Sequence, residues 1–148
     1  MPEIKHILVP INATDESMKA LGFAAKLAKI YGARISLLLV TYFDENTDNS
    51  RRNIKSWLPS LLTGSVSMYT QAVFEKAKKE LPPDVLSRVA DYHVSGLPQT
   101  KILEFAKSGR ADLIIMGCRQ LSFFDSLIGG SVSRHILEKS TCPVIIVK

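Results

Sequence analysis

Long apolar runs are missing from this chain of 148 residues. Nothing approaches the roughly 18 consecutive apolar residues that cross a membrane, so no span is expected. Residues 1–5 are polar and Ile7–Val9 is too short for the apolar core of a secretory leader, so a cytoplasmic location is expected. Cysteine is scarce, with only Cys118 and Cys142. In the strand layout read below, one follows a strand's carboxyl end and the other precedes its neighbour's amino end. Those ends lie about 17–20 Å apart. A disulfide needs Cα atoms within about 7 Å, so none is expected.

The sequence also lacks a Gly-rich dinucleotide fingerprint and a Walker lysine. Its histidines, His6, His93 and His135, are scattered over different elements without zinc-ligand spacing. Acidic residues are outnumbered 14 to 19, giving a net charge of +5 and a pI near 9.3. The basic patches Arg51, Arg52, Lys55 and Lys76, Lys78, Lys79 read as solvated faces, not as a nucleic-acid stripe interleaved with aromatics. Nucleic acid is therefore not an expected partner, whereas a mildly basic surface favours an anionic small molecule.

What is present is ordinary globular usage, 46% hydrophobic and 22% charged, over a length that suits one domain, residues 1–148. Five short apolar runs alternate with helical patterns. Ile4–Val9 reads as a first strand stopped by Pro10. Thr14 to Tyr31 reads as a helix, with Met18, Leu21, Ala25 and Ala28 at helical spacing, Thr14 as N-cap and Gly32 as the stop. Ile35–Val40 is a second strand. Asp44 to Asn53 reads as a loop. Trp57-Leu58 and Leu61-Leu62 suggest a short helix or lid, and Trp57 either covers a ligand or packs on its own loop. Val66, Tyr69, Val73, Ala77 and Leu81 mark a second long helix ended by Pro82-Pro83. Arg88–Val94 is a third strand. Gly96 and Pro98 lead into a helix with Ile102, Leu103, Phe105 and Ala106, stopped by Gly109. Leu113–Met116, Ser131 to Lys139 and Val144–Val147 read as strand, helix and strand.

Strands that are continuous apolar runs are covered on both faces, and intervening helices imply right-handed crossovers between parallel strands. The expected fold class is α/β, a single doubly wound, Rossmann-like domain with a five-stranded parallel sheet. Ligands of such sheets sit outside the carboxyl ends of the strands. Here those ends are Pro10–Thr14, Val40–Tyr42, Ser95–Leu97 and Gly117–Gln120. Gly130-Ser131 opens the last helix, whose first-turn N–H groups suit an anion. Taken alone, the pair reads first as a simple helix cap at Ser131.

The spacing Gly117-x2-Gln120-x9-Gly130-Ser131 resembles the nucleotide-binding signature of the universal stress protein family, Gly-x2-Gly-x9-Gly-Ser/Thr. The likeness extends over nearly the whole chain: HILVPINATDESMKAL at the start, Gly96-Leu97-Pro98 before Ile102, ADLIIMG at Ala111–Gly117 and CPVIIV at Cys142–Val147. The resemblance implies strand order 3-2-1-4-5 and a homodimer paired through the last strand. It also implies a pocket for ATP or a related adenine nucleotide, with Mg as a possible companion. By that likeness, Pro10, Ile11 and Asn12 form the first strand's rim, and Asn12 reaches the ribose. The backbone around Val40 and Thr41 holds adenine. Gly117, Arg119, Gln120, Gly130, Ser131, Val132 and Ser133 surround the phosphates. Arg119 reads equally as a phosphate partner or a solvent-facing loop residue. Phe123-Phe124 and Leu127 read as anchors of the loop between the glycines.

Two departures from the family pattern bear on function. Gln120 stands where the family has its second glycine. If that position needs positive φ, a side chain costs about 1–2 kcal/mol, although a Gln amide can itself donate to phosphate. Asn12 stands where the family usually has an acidic residue. The alternative to a nucleotide-binding regulator is accordingly a family-like protein that has lost nucleotide and works through protein partners. Ser131 and His135 are four apart on one helix, but no carboxylate orients them. At most weak ATP hydrolysis is expected.

Overall fold

The structure, a computed structural model, describes residues 3–41, 66–118 and 131–148. The loop read at residues 44–53, Trp57-Leu58, Leu61-Leu62, the Arg51–Lys55 patch, Phe123-Phe124 and Leu127 lie outside the described residues. The elements are β1 (His6–Ile11), α1 (Asp15–Tyr31), β2 (Arg34–Thr41), α2 (Val66–Lys79), α3 (Pro83–Leu86), β3 (Val89–Ser95), α4 (Pro98–Ser108), β4 (Leu113–Gly117), α5 (Ser131–Lys139) and β5 (Val144–Val147). The five strands form one parallel sheet in the order β3-β2-β1-β4-β5. The doubly wound α/β expectation and its strand order hold.

Side-chain alternation along the strands divides the core in two. Ile7, Val9, Ile11, Ile35, Leu37, Leu39, Leu113 and Ile115 point to the face covered by α1 and α2. Leu8, Leu38, Ile114 and Met116 point to the face covered by α4 and α5, where they meet Ile102, Ala106 and Ile136. The middles of the central strands are runs of apolar residues because both of their faces are buried, with the buried polar residues His6, Ser36 and Thr41 toward the ends of β1 and β2. The edge strands differ: β3 is largely exposed and β5 half-buried.

The boundaries of α1 follow the sequence closely. Thr14 accepts from the Ser17 N–H as N-cap, and Gly32 closes the helix at φ 69°. Three details depart from it. Pro10 does not stop β1, which runs on to Ile11. The Asp112 N–H donates to the His6 carbonyl, so β1 residues of even number face β4. Pairing with β4 ends at Leu8↔Ile114, so the N–H that Pro10 lacks faces a region past that ladder. Pro83, read as part of a stop, starts the one-turn helix α3 at a position where a fixed φ is favourable. Gly109 ends α4 in right-handed geometry, and it is Arg110 that takes the left-handed turn at φ 54°.

At the opposite end of the sheet from the strands' carboxyl ends, His6 is buried. Its Nδ1 lies 3.0 Å from the Gly109 carbonyl and its Nε2 2.6 Å from Ser36 Oγ. A carbonyl only accepts, so Nδ1 carries the proton, and in the neutral ring the Ser36 hydroxyl donates to Nε2. Burial first, then the Arg34 guanidinium, holds its pKa below the ordinary 6.5. The unfolded chain therefore takes up a proton at higher pH than the folded one. Stability present above the unfolded value is lost as the pH falls below it and on through the lower folded value. The melting temperature should drop more between pH 7.5 and 5 in the parent than in His6→Gln, which starts lower but is flatter. Equal pH dependence in the two proteins would remove His6 as the cause.

Candidate functional site

The cleft lies where the chain order reverses across the β1–β4 pair, outside the carboxyl ends of the strands. One wall is the turn from β1 into α1. There the Asn12 N–H donates to Ser17 Oγ (3.1 Å) and the Ser17 hydroxyl donates back to the Asn12 carbonyl (2.7 Å). Asn12 Oδ1 accepts from the Thr14 N–H (2.9 Å) and from the Thr14 hydroxyl. Every link joins residues two to five apart, so this turn is specified locally by Asn-x-Thr-x-x-Ser.

The opposite wall begins at Gly117, the last residue of β4. A Cβ placed there would lie 2.5 Å from both the carbonyl carbon and oxygen of Glu16, and 2.8 Å from the Ser17 nitrogen. Those atoms are backbone and cannot swing aside. Gly117 is thus required by packing of β4 on the first turn of α1, whatever else it does.

Between these walls is a cleft of about 360 Å³, within the range of small-ligand sites. Of the residues expected to form the site, Pro10, Ile11, Asn12, Val40, Gly117, Val132 and Ser133 line it together. Thr41 does not. Leu39 belongs to the α1 face, so Thr41, two residues on, turns the same way, and it is buried. Its hydroxyl bonds His93 Nε2 (2.7 Å) and its carbonyl accepts from the Gly96 N–H. Val40 faces the other way. The Arg34 N–H reaches β1 at Lys5, so even-numbered residues of β2 direct their backbone groups to β1. That ladder ends at Ile11↔Leu39, which leaves the Val40 carbonyl past the last rung and on the cleft. Ser131 opens α5. Arg119, Gln120 and Gly130 lie outside the described residues.

Residues that sequence reading missed also line the cleft, among them Glu16, Leu38, Ile102 and Met116. The pleat carried the signal for two of them, since Leu38 lies two residues before Val40 and Met116 two before Cys118. Ile102 follows Pro98 by one helical turn. Glu16 had no signal, because its place depends on how closely α1 approaches β4.

The electrostatics are uneven. Glu16 is the charged side chain in the described lining. α1 carries Asp15 and Glu16 in its first turn, which offset its positive end, whereas the first turn of α5 has no acidic residue. An anion therefore favours the α5 end, near Ser133. The apolar side chains Leu38, Val40 and Ile102 suit a flat base at the β2 end. A second cleft between α1 and α2 has an aliphatic floor of Met18, Leu21, Ala25 and Leu81, with Lys26, Lys29 and Glu80 also in its lining, and it lies away from the carboxyl ends of the strands. Among the described residues no group of three or more His, Cys, Asp or Glu is arranged to hold a metal, and Cys118 and Cys142 are not joined in a disulfide.

Comparison with known proteins gives a consistent picture. The model of the universal stress protein family matches residues 3–148. Universal stress protein YxiE of Bacillus subtilis is 32% identical over 146 residues, covering 96% of this chain and 97% of that protein. Universal stress protein UspA from Lactobacillus plantarum superposes with a TM-score of 0.77 at 18% identity, covering 100% of both chains. A universal stress protein in complex with cAMP superposes with a TM-score of 0.75 at 19% identity, covering 99% of each.

The contact at Gly117 is directly testable. Gly117→Ala forces a Cβ into backbone and should cost about 1–3 kcal/mol of unfolding free energy. Gly22→Ala, on the exposed side of α1 with nothing within 4 Å of the new carbon, should gain about 0.5–1 kcal/mol. Urea unfolding of both variants checks this, and a neutral Gly117→Ala would refute the contact.

Proposed function

We propose that this chain, which belongs to the universal stress protein family, binds ATP or a related adenine nucleotide in the β1–β4 cleft and acts as a regulatory module. The observation that carries this reading is the pairing in one cleft of an apolar end at β2 with an anion-favouring end at α5. At the first end, the Val40 carbonyl is available to accept from an adenine amino group, and Leu38, Val40 and Ile102 cover the base. At the second, the first-turn N–H groups of α5, with Ser133, receive phosphate. Arg119, Gln120, Gly130 and Ser131 complete the phosphate end by the family pattern. Mg²⁺ would enter with the phosphates, as is usual for nucleotides. A neighbour of the same fold is known in complex with cAMP, which supports the ligand class.

A homodimer paired through β5 is part of the same proposal. Val144–Val147 is an apolar strand at the sheet edge, its side chains half-buried in the single chain. Unpaired backbone on such an edge is a template for a second copy. Light scattering should give about twice the chain mass of 16.4 kDa. A mass of one chain across the micromolar range would reject the dimer.

Denaturing the purified protein and analysing the released small molecules by mass spectrometry should yield an adenine nucleotide, and millimolar ATP with Mg²⁺ should raise the melting temperature. Failure of both would sink the nucleotide reading. The competing reading, a member that has lost nucleotide and works through protein partners, makes the opposite forecast for Gln120→Gly. There, removing the side chain should create ATP binding where the parent has none.

A further inference from the structure

The polar groups of Asn12 are nearly all committed. Its N–H and carbonyl bond Ser17 Oγ, and its Oδ1 takes both the N–H and the hydroxyl of Thr14. A backbone N–H only donates, so the atom facing Thr14 must be the amide oxygen. What remains is Nδ2, with two hydrogens to give and no lone pair to offer. Asn12 is exposed and lines the cleft.

The sheet locates this donor. Strands run β2-β1-β4, with neighbours about 4.8 Å apart. Asn12, just past β1, therefore stands between Val40 at the end of β2 and Gly117 at the end of β4. A nucleotide with its base at Val40 and its 5′-phosphate toward α5 lays its ribose across Asn12. We infer that the Asn12 side chain offers the sugar donors only, so that at this position the cleft favours adenosine nucleotides whose ribose 3′ oxygen carries phosphate over those with a free diol. This rests on the adenine-nucleotide reading above.

The chemistry is one of matching. A free ribose hydroxyl can accept from Nδ2, but its own proton finds no acceptor on that side chain. A phosphate ester presents anionic acceptors to both amide hydrogens, and hydrogen bonds to ionised groups are the shorter and stronger kind. An acidic residue at position 12 would have the reverse preference: one oxygen would still hold Thr14, and the other would accept from a hydroxyl and repel phosphate.

The test is Asn12→Asp in the full chain. The change is isosteric, and Asp serves a helix-leading turn as well as Asn. Calorimetric titration compares adenosine 5′-monophosphate with adenosine 3′,5′-bisphosphate, which differ only in the 3′ phosphate. The parent should bind the bisphosphate more tightly, by about threefold or more, and Asn12→Asp should lower that ratio by about tenfold. Tighter or equal binding of the monophosphate by the parent overturns the inference without any variant. Binding of both ligands with an unchanged ratio in Asn12→Asp also overturns it, while leaving the nucleotide reading in place. Absence of binding by either ligand to the parent defeats both.

Discussion

The contact between Gly117 and the first turn of α1 is the constraint on which the functional end of the molecule depends. β4 is adjacent to β1 in the sheet, yet more than 100 residues separate them in sequence. Their shared crevice is a site only if β4 ends where α1 begins. With no side chain at Gly117, the Glu16 carbonyl and Ser17 nitrogen come to within contact of β4. Ser17 is in turn bonded to both backbone groups of Asn12. The end of β4, the start of α1 and the end of β1 thus form one bonded and packed unit. The floor of the cleft is the rigid edge of a sheet buried on both faces.

This arrangement gives Gly117 two roles that sequence alone cannot separate. A glycine that starts a phosphate loop and a glycine that lets a helix approach a strand are the same letter. The geometry makes the packing role definite. That contact, made by Gly117 itself, holds the β4 wall against the first turn of α1. Asn12 shows the same separation. Its oxygen holds Thr14 as a carboxylate oxygen would, so the turn tolerates Asn, and the difference from an acidic residue falls on the other head-group atom, Nδ2.

Much of the fold was legible because the relevant forces are local or periodic. The cap at Thr14, the left-handed stop at Gly32 and the helix started by Pro98 each follow from a few neighbouring residues. Strand order came from family likeness, since nothing in the apolar runs themselves says which lies beside which. The failures have a common cause. Pro10 looked like a stop because a proline removes a ladder bond, but whether a bond is lost depends on where the pairing of β1 with β4 ends. Thr41 was grouped with Val40 by family likeness, but the pleat turns adjacent side chains to opposite faces, and that of Thr41 is buried away from the described cleft lining. Glu16 was invisible because its neighbour in space, Gly117, is about 100 positions away.

Two helix ends meet at the cleft, and their unequal charge gives it direction. Acidic residues in a first turn stabilise a helix by meeting its partial positive charge, which leaves less of that charge for a ligand. α1 is stabilised this way by Asp15 and Glu16, while α5, with Ser131, Val132 and Ser133 in the same place, is not. An anionic ligand that entered with its charge toward α1 would meet Glu16. Entering the other way, it meets a helix start with no acidic residue in its first turn. The apolar surface at β2 then receives whatever part of the ligand carries no charge. Polarity of this kind depends on strand order as much as on composition, because only the sequence β2-β1-β4 puts the apolar end and the anion-favouring end on opposite sides of Asn12.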